Sequence, residues 1–134
     1  MKKILIVDNE AGLVQLLKLN LEATGRYQVK TETKGTEAIN AARAFQPDLI
    51  LLDVVMPDLS GPDVVRKIKA DKETQHIPVV FLTAAVLKNE DTNSPEEESE
   101  TLQPFISKPV STAELIEYIE AAIPATPQSQ KIDR

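Results

Sequence analysis

A chain of 134 residues with a net charge of −6 and 42% apolar residues fits one domain able to bury a real core. The negative balance argues against non-specific nucleic-acid binding, and the lack of cysteine excludes disulfides, thiolate metal sites and cysteine nucleophiles while agreeing with a reducing compartment. Met1-Lys2-Lys3, then four strongly apolar residues and Asp8, is too short for a signal peptide or membrane span, so a cytoplasmic protein without membrane insertion is expected.

Ile4-Leu5-Ile6-Val7 reads as a buried strand running into Asp8-Asn9-Glu10. Leu13, Leu16, Leu17 and Leu21 then recur at helical spacing, and Gly25 stops that helix. Tyr27 to Thr33 alternates as an edge strand does. Gly35 to Phe45 is an Ala-rich helix with Ala38, Ala41, Ala42 and Phe45 on one face, ended by Pro47. Asp48 to Asp53 forms the third strand, and Ser60 or Gly61 opens a helix running to about Asp71. Ile77-Pro78 leads into a fourth strand, Val79 to Leu82, which ends in Thr83.

Val86 to Pro104 has little apolar periodicity and holds six acidic residues between Glu90 and Glu100. It is either a short helix or a loop. Pro95 at a first helical position, followed by Glu96, Glu97 and Glu98, favours the helix. Phe105-Ile106-Ser107 is the fifth strand and leads into Lys108-Pro109. Ser111 or Thr112 caps the last helix, with Glu114 in its first turn and Leu115, Ile116, Ile119 and Ile123 as its apolar stripe. Residues 1–123 thus form the domain, and the tail 124–134, without core residues, is expected to be disordered. Three near-continuous apolar strands imply a parallel sheet covered on both faces, and five strands with intervening helices make a doubly wound α/β sandwich.

The strand ends carry the chemistry. Open α/β sheets bind ligands outside the carboxyl ends of their strands. Stacked side by side, these strands gather Asp8, Asp53, the Thr83 hydroxyl and the Lys108 ammonium at one sheet edge. Each residue alone has an ordinary reading: a turn aspartate, a helix cap, a β-branched strand residue, a surface lysine. Together at strand ends they read as a site, because packing explains polar strand ends poorly. His76 lies in a polar loop and is expected to be exposed and without a role. The four scattered glycines form neither a Walker A loop nor a dinucleotide fingerprint.

In their order and near-spacing, Asp8-Asn9-Glu10, Asp53…Met56-Pro57…Gly61, Thr83-Ala84 and Lys108-Pro109 resemble the receiver domain of two-component response regulators, over roughly residues 2–122. The resemblance implies a flavodoxin-like fold, a five-stranded parallel sheet of order 2-1-3-4-5 with helices on both faces. It implies that Asp53 is the phosphoacceptor, taking a phosphoryl group from a sensor histidine kinase or a histidine phosphotransfer protein. Mg²⁺ would be held by Asp8, Asn9, Asp53 and the Val55 backbone carbonyl. Thr83 and Lys108 would contact phosphoryl oxygens, and the bond before Pro109 resembles the family's cis peptide. A carboxylate is a modest nucleophile, but phosphoryl transfer depends mainly on positioning and charge neutralisation. Thr83 and Phe105 match the family's switch positions, although Phe105 reads equally as core. The signal would pass to a downstream protein target through the face made by the fourth helix, fifth strand and fifth helix.

One position departs from the family. Two adjacent acidic residues usually follow its first strand, and here the second is Asn9. An amide oxygen ligates Mg²⁺ without adding charge, so weaker affinity is expected, and a like-charge contact is removed from the metal-free site. An alternative therefore stands beside the phosphorelay reading: a pseudo-receiver that binds its partner without phosphorylation. A small hydrolase with an aspartyl-phosphate intermediate would need a second acid/base carboxylate, commonly two residues after the nucleophile. Val55 occupies that position, so the chain is expected not to be an enzyme beyond slow self-dephosphorylation.

Overall fold

Alternation of apolar side chains along three central strands decides the architecture. The computed structural model describes residues 1–83, 105–107 and 111–123. In chain order the elements are β1 (Lys2–Val7), α1 (Ala11–Glu22), β2 (Tyr27–Glu32), a 3₁₀ turn (Gly35–Glu37), α2 (Ala38–Phe45), β3 (Leu49–Asp53), α3 (Gly61–Ala70), β4 (Val79–Thr83), β5 (Phe105–Ser107) and a C-terminal helix (Thr112–Ala122). The strands form one sheet of order β2-β1-β3-β4-β5, and every pair is parallel. This is the expected doubly wound, flavodoxin-like arrangement. The acidic stretch within 86–104, Lys108-Pro109 and the tail from Pro124 lie outside the described residues.

Successive strand residues point to opposite faces. Ile4, Ile6, Leu49, Leu51, Val80 and Leu82 pack with α1 and the C-terminal helix through Val14, Leu17, Leu21, Leu115 and Ile119. Leu5, Val7, Ile50, Leu52, Val79 and Phe81 pack on the other face with α2 and α3 through Ala38, Ala41, Ala42, Val64 and Ile68. Two cores cover one sheet, as near-continuous apolar strands require. Small alanines on α2 let that helix lie close to the sheet.

Capping follows local chemistry. Ser60 caps α3 by accepting the Asp63 amide at 3.3 Å, with Pro62 in the first turn. Ser111 and Glu114 form a reciprocal capping box on the C-terminal helix, at 3.1 and 3.2 Å. Gly25, at φ 78°, turns the chain out of α1. The outer edge of β2 is guarded from α1: Lys18 Nζ donates to the Val29 carbonyl at 2.8 Å, and Glu22 Oε2 accepts the Val29 amide at 3.0 Å. Both edge groups are satisfied, which removes a template for pairing with another chain.

Two expectations need correction. Gly35 to Phe45 is not one helix: Gly35–Glu37 is a 3₁₀ turn that passes into α2 at Ala38. Its first two amides are held from another loop, as described below, and this tightens the turn. Leu16 does not belong to the buried stripe and is 53% exposed. Two residues from the buried Val14 is about 200° around a helix, so the stripe runs through Val14, Leu17 and Leu21 instead.

Leu51→Ala, in the centre of the sheet, is expected to cost about 2–5 kcal/mol in urea unfolding, whereas Leu16→Ala changes stability by less than about 0.5 kcal/mol. The acid side of the stability curve has its own test. Asp71 accepts the Glu73 amide at 2.8 Å and Arg43 Nε at 2.7 Å, and these bonds hold its carboxyl below the usual range, the Glu73 amide contributing most. A folded value below the unfolded one gives stability that is present above the unfolded value and lost as pH falls through the folded one. Asp71→Asn should therefore flatten the fall of unfolding free energy below about pH 4, measured by chemical denaturation across pH.

Candidate functional site

The site is built by strand register. Ile4 to Val7 pair with Leu49 to Leu52, so Asp8 follows β1 beside Asp53 at the end of β3. The Asp8 amide continues the ladder outward, donating to the Glu32 carbonyl at 3.0 Å. Asp8 is 0% exposed and Asp53 6%, which makes them two of only three buried polar or charged residues among those described. Burial of ionisable groups at a sheet edge is costly unless something uses them.

Backbone amides meet both carboxylates. Asp8 Oδ1 accepts the Glu10 amide at 2.9 Å, and Asp53 Oδ1 accepts the Val55 amide at 3.3 Å. The first bond turns the chain from β1 into α1, whose N-cap is Glu10. Asn9 and Glu10 are exposed at this rim, and the Val55 side chain is 73% exposed. On the other flank, Asp53 lies opposite Leu82, so the Thr83 backbone follows one step beyond and pairs with Ser107. The Thr83 and Phe105 side chains, and Lys108 entirely, lie outside the described residues. The site brought together here is thus Asp8, Asp53, the Asn9 rim and the Val55 backbone.

The loop after Asp53 is anchored at several points. The Val54 amide donates to the Leu82 carbonyl at 3.2 Å, and the Gly61 amide closes the loop on the Val54 carbonyl at 2.8 Å. A Cβ at Gly61 would stand 2.8 Å from Val54 Cα and 2.9 Å from the Asp53 carbonyl oxygen, so only glycine lets α3 start this close to the end of β3. Met56 is buried in the core beneath α2 and α3. Asp58 reaches across to the 3₁₀ turn: Oδ1 accepts the Gly35 amide at 3.1 Å and Oδ2 the Thr36 amide at 3.0 Å. These bonds, with Thr36 contributing most, hold the Asp58 carboxyl below its usual range. Sequence alone gives Asp58 no role, because its partners stand more than twenty residues upstream.

The donor chemistry suits a hard divalent cation. Asp8 and Asp53 supply two carboxylates, Asn9 an amide oxygen and Val55 a carbonyl, all oxygen ligands of the kind Mg²⁺ takes. Among the described residues no group of three or more His, Cys, Asp or Glu side chains gathers to hold an ion. Asn9, exposed next to Asp8, carries an amide and no charge.

Comparison with known proteins identifies the family and the fold. The model of the response regulator receiver domain matches residues 4–120. The polar-differentiation response regulator DivK of Brucella ovis is 35% identical over 120 residues, covering 90% of this chain and 94% of that protein. Among solved structures, the receiver domain of a sensor histidine kinase from Pseudomonas aeruginosa, with a magnesium ion coordinated in its active-site cleft, superposes with a TM-score of 0.77. It is 26% identical, and the match covers 91% of this chain and 97% of that one. The Vibrio cholerae chemotaxis protein CheY4 gives a TM-score of 0.77 at 25% identity, over 91% and 98% of the two chains. Among the described residues no helix is long and apolar enough to cross a membrane.

Gly61→Ala should push the start of α3 from the end of β3. The expected cost is about 1–3 kcal/mol in thermal or urea unfolding, with amide NMR shifts concentrated at 53–56. An unchanged stability and spectrum would contradict the close packing.

Proposed function

The chain belongs to the response regulator receiver family, and from that premise we propose that Asp53 accepts a phosphoryl group from a phosphohistidine partner in a Mg²⁺-dependent step. Receiver domains are signalling domains of two-component systems rather than classical enzymes, and their partners are histidine kinases and downstream targets. The observation that carries the proposal is the pair of buried carboxylates, Asp8 and Asp53, set side by side by the β1–β3 register.

In the proposed reaction an Asp53 carboxylate oxygen bonds to phosphorus as the phosphorus–nitrogen bond to the donor imidazole breaks. Asp8, Asp53, the Asn9 amide oxygen and the Val55 carbonyl would hold the cation, which when bound neutralises charge on the transferring oxygens. The magnesium in the cleft of the Pseudomonas aeruginosa receiver domain supports this assignment by analogy. Asp8, tied by the Glu10 amide, keeps its carboxylate fixed at the edge, so little reorganisation is needed when charge arrives. Thr83, at the end of the neighbouring strand, would donate its hydroxyl to one phosphoryl oxygen and Lys108 its ammonium to another. Thr83 and Phe105 would then carry the change to a protein-binding face, since the modification adds about −1.5 to −2 charge and new acceptor oxygens. The exposed Val55 side chain presents no acid or base to an attacking water, so the phosphoryl group is lost slowly.

A second reading rests on Asn9. With one negative charge fewer at the rim, the fold could serve as a phosphorylation-independent interaction module. One experiment separates the two: treatment with acetyl phosphate, with and without millimolar Mg²⁺, followed by intact mass. The expected result is a Mg²⁺-dependent phosphoryl adduct that is absent in Asp53→Asn and slow to decay in the isolated domain. Failure to modify, rescued by Asn9→Asp, would establish the interaction module.

A further inference from the structure

The phosphoacceptor loop has an outer anchor that the proposed chemistry leaves without a role. Between Val54 and Gly61, closed on each other at 2.8 Å, the chain bulges outward through Val55, Met56, Pro57 and Asp58. The base of this bulge is held by the sheet, and its middle by the buried Met56. Its outer end is held by Asp58, whose two carboxylate oxygens take the first amides of the 3₁₀ turn, Gly35 at 3.1 Å and Thr36 at 3.0 Å. The fit is tight from the other side as well. A Cβ at Gly35 would stand 2.8 Å from the Leu59 carbonyl oxygen, 3.0 Å from Leu59 Cβ and 3.3 Å from Met56 Cε. Attraction at Asp58 and contact at Leu59 therefore set one distance between the bulge and the 3₁₀ turn.

We infer that Asp58 is a positioning residue for the divalent-cation site: its grip on the Gly35 and Thr36 amides fixes the bulge and with it the Val55 carbonyl. Val55 is three residues from Asp58, and its side chain is 73% exposed, so no core packing holds it. On the site side its amide bonds to Asp53 Oδ1 at 3.3 Å, which is long. The carbonyl thus depends on how the bulge is held at both ends. With Asn9 adding no charge, the cation depends more on its neutral oxygens, and a carbonyl displaced by an ångström matters more. The amides bonded to Asp58 also hold its carboxylate ionised, which keeps both oxygens available as acceptors.

The inference rests on the proposed Mg²⁺-dependent role of Asp53, and its test keeps the two apart. Mg²⁺ is titrated alone into the intact chain and its variants, and binding is read from amide NMR shifts without any phosphodonor. Acetyl-phosphate modification is measured in parallel. Asp58→Ala should raise the Mg²⁺ dissociation constant at least fivefold, and its modification rate should recover at saturating Mg²⁺. Asp58→Asn, with one oxygen left to accept, should fall between. Gly35→Ala, which pushes on Leu59 from the other side, should shift affinity in the same direction. Asp63→Ala, on the exposed first turn of α3 where it pairs with Arg66, should leave affinity unchanged. Wild-type affinity in folded Asp58→Ala and Gly35→Ala would overturn the inference while leaving the proposed function intact. If Asp58→Ala does not fold, Asp58→Asn and Gly35→Ala decide by the same criterion. A wild-type chain that neither binds Mg²⁺ nor is modified would overturn both readings.

Discussion

The parallel register between β1 and β3 is the constraint on which the rest depends, and a pair of hydrogen bonds between Asp48 and Lys3 secures it. The Asp48 amide donates to the Lys3 carbonyl at 2.7 Å, and the Asp48 side chain accepts the Lys3 amide at 2.8 Å. Such an anchor matters because β1, β3 and β4 are apolar on both faces. In a sheet polar on one side, a one-residue slip exposes a whole apolar set and is strongly penalised. Here a slip would exchange one apolar face for the other and cost mainly packing. Polar ends settle what the middle leaves ambiguous. Asp48 ties the start of β3 to Lys3, and the same number of residues downstream in each strand come Asp53 and Asp8.

The two ends of the sheet therefore differ in kind. At the amino end, polar groups are spent on each other. Tyr27, buried at the start of β2, donates its hydroxyl to Glu120 of the C-terminal helix, and its own ionisation is pushed up to about 12, chiefly by burial. Lys3 lies over the Phe45 ring and donates to the Phe45 carbonyl at 3.0 Å. These contacts close the bottom of the sandwich. At the carboxyl end, Asp8 and Asp53 accept amides from their own loops, which orient the carboxylates. The amino end is thus closed by contacts between distant segments, while the carboxylates at the other end are oriented by their own loops.

Loops at the carboxyl end of the sheet are held from several sides. Gly61 permits α3 to start against Asp53, Ser60 caps it, and Asp58 ties the bulge to the 3₁₀ turn. The exposed Leu16 and Leu19 on α1 lie away from these anchors and contribute nothing to them.

Short-range chemistry was legible in the chain. The apolar runs of β1, β3 and β4, the three-residue spacing of Ser111 and Glu114, and Gly25 as the stop to α1 depend on neighbours within one or two turns. So did the candidate site, because a carboxylate ending an apolar strand is anomalous wherever that strand packs. Contacts between distant segments decided the rest. Gln46 adopts φ 49° at the end of α2, with its side-chain Nε2 donating to the Glu73 carbonyl at 3.0 Å, 27 residues away. Tyr27 finds Glu120 across 93 residues. The helix expected from Gly35 became a 3₁₀ turn because Asp58 takes its first amides, and Leu16 faced outward because Val14 faced in. Periodicity and capping are properties of a few bonds in sequence and survive any tertiary arrangement. Which amide a carboxylate meets across the fold depends on the packing of both cores, and only the folded chain determines it.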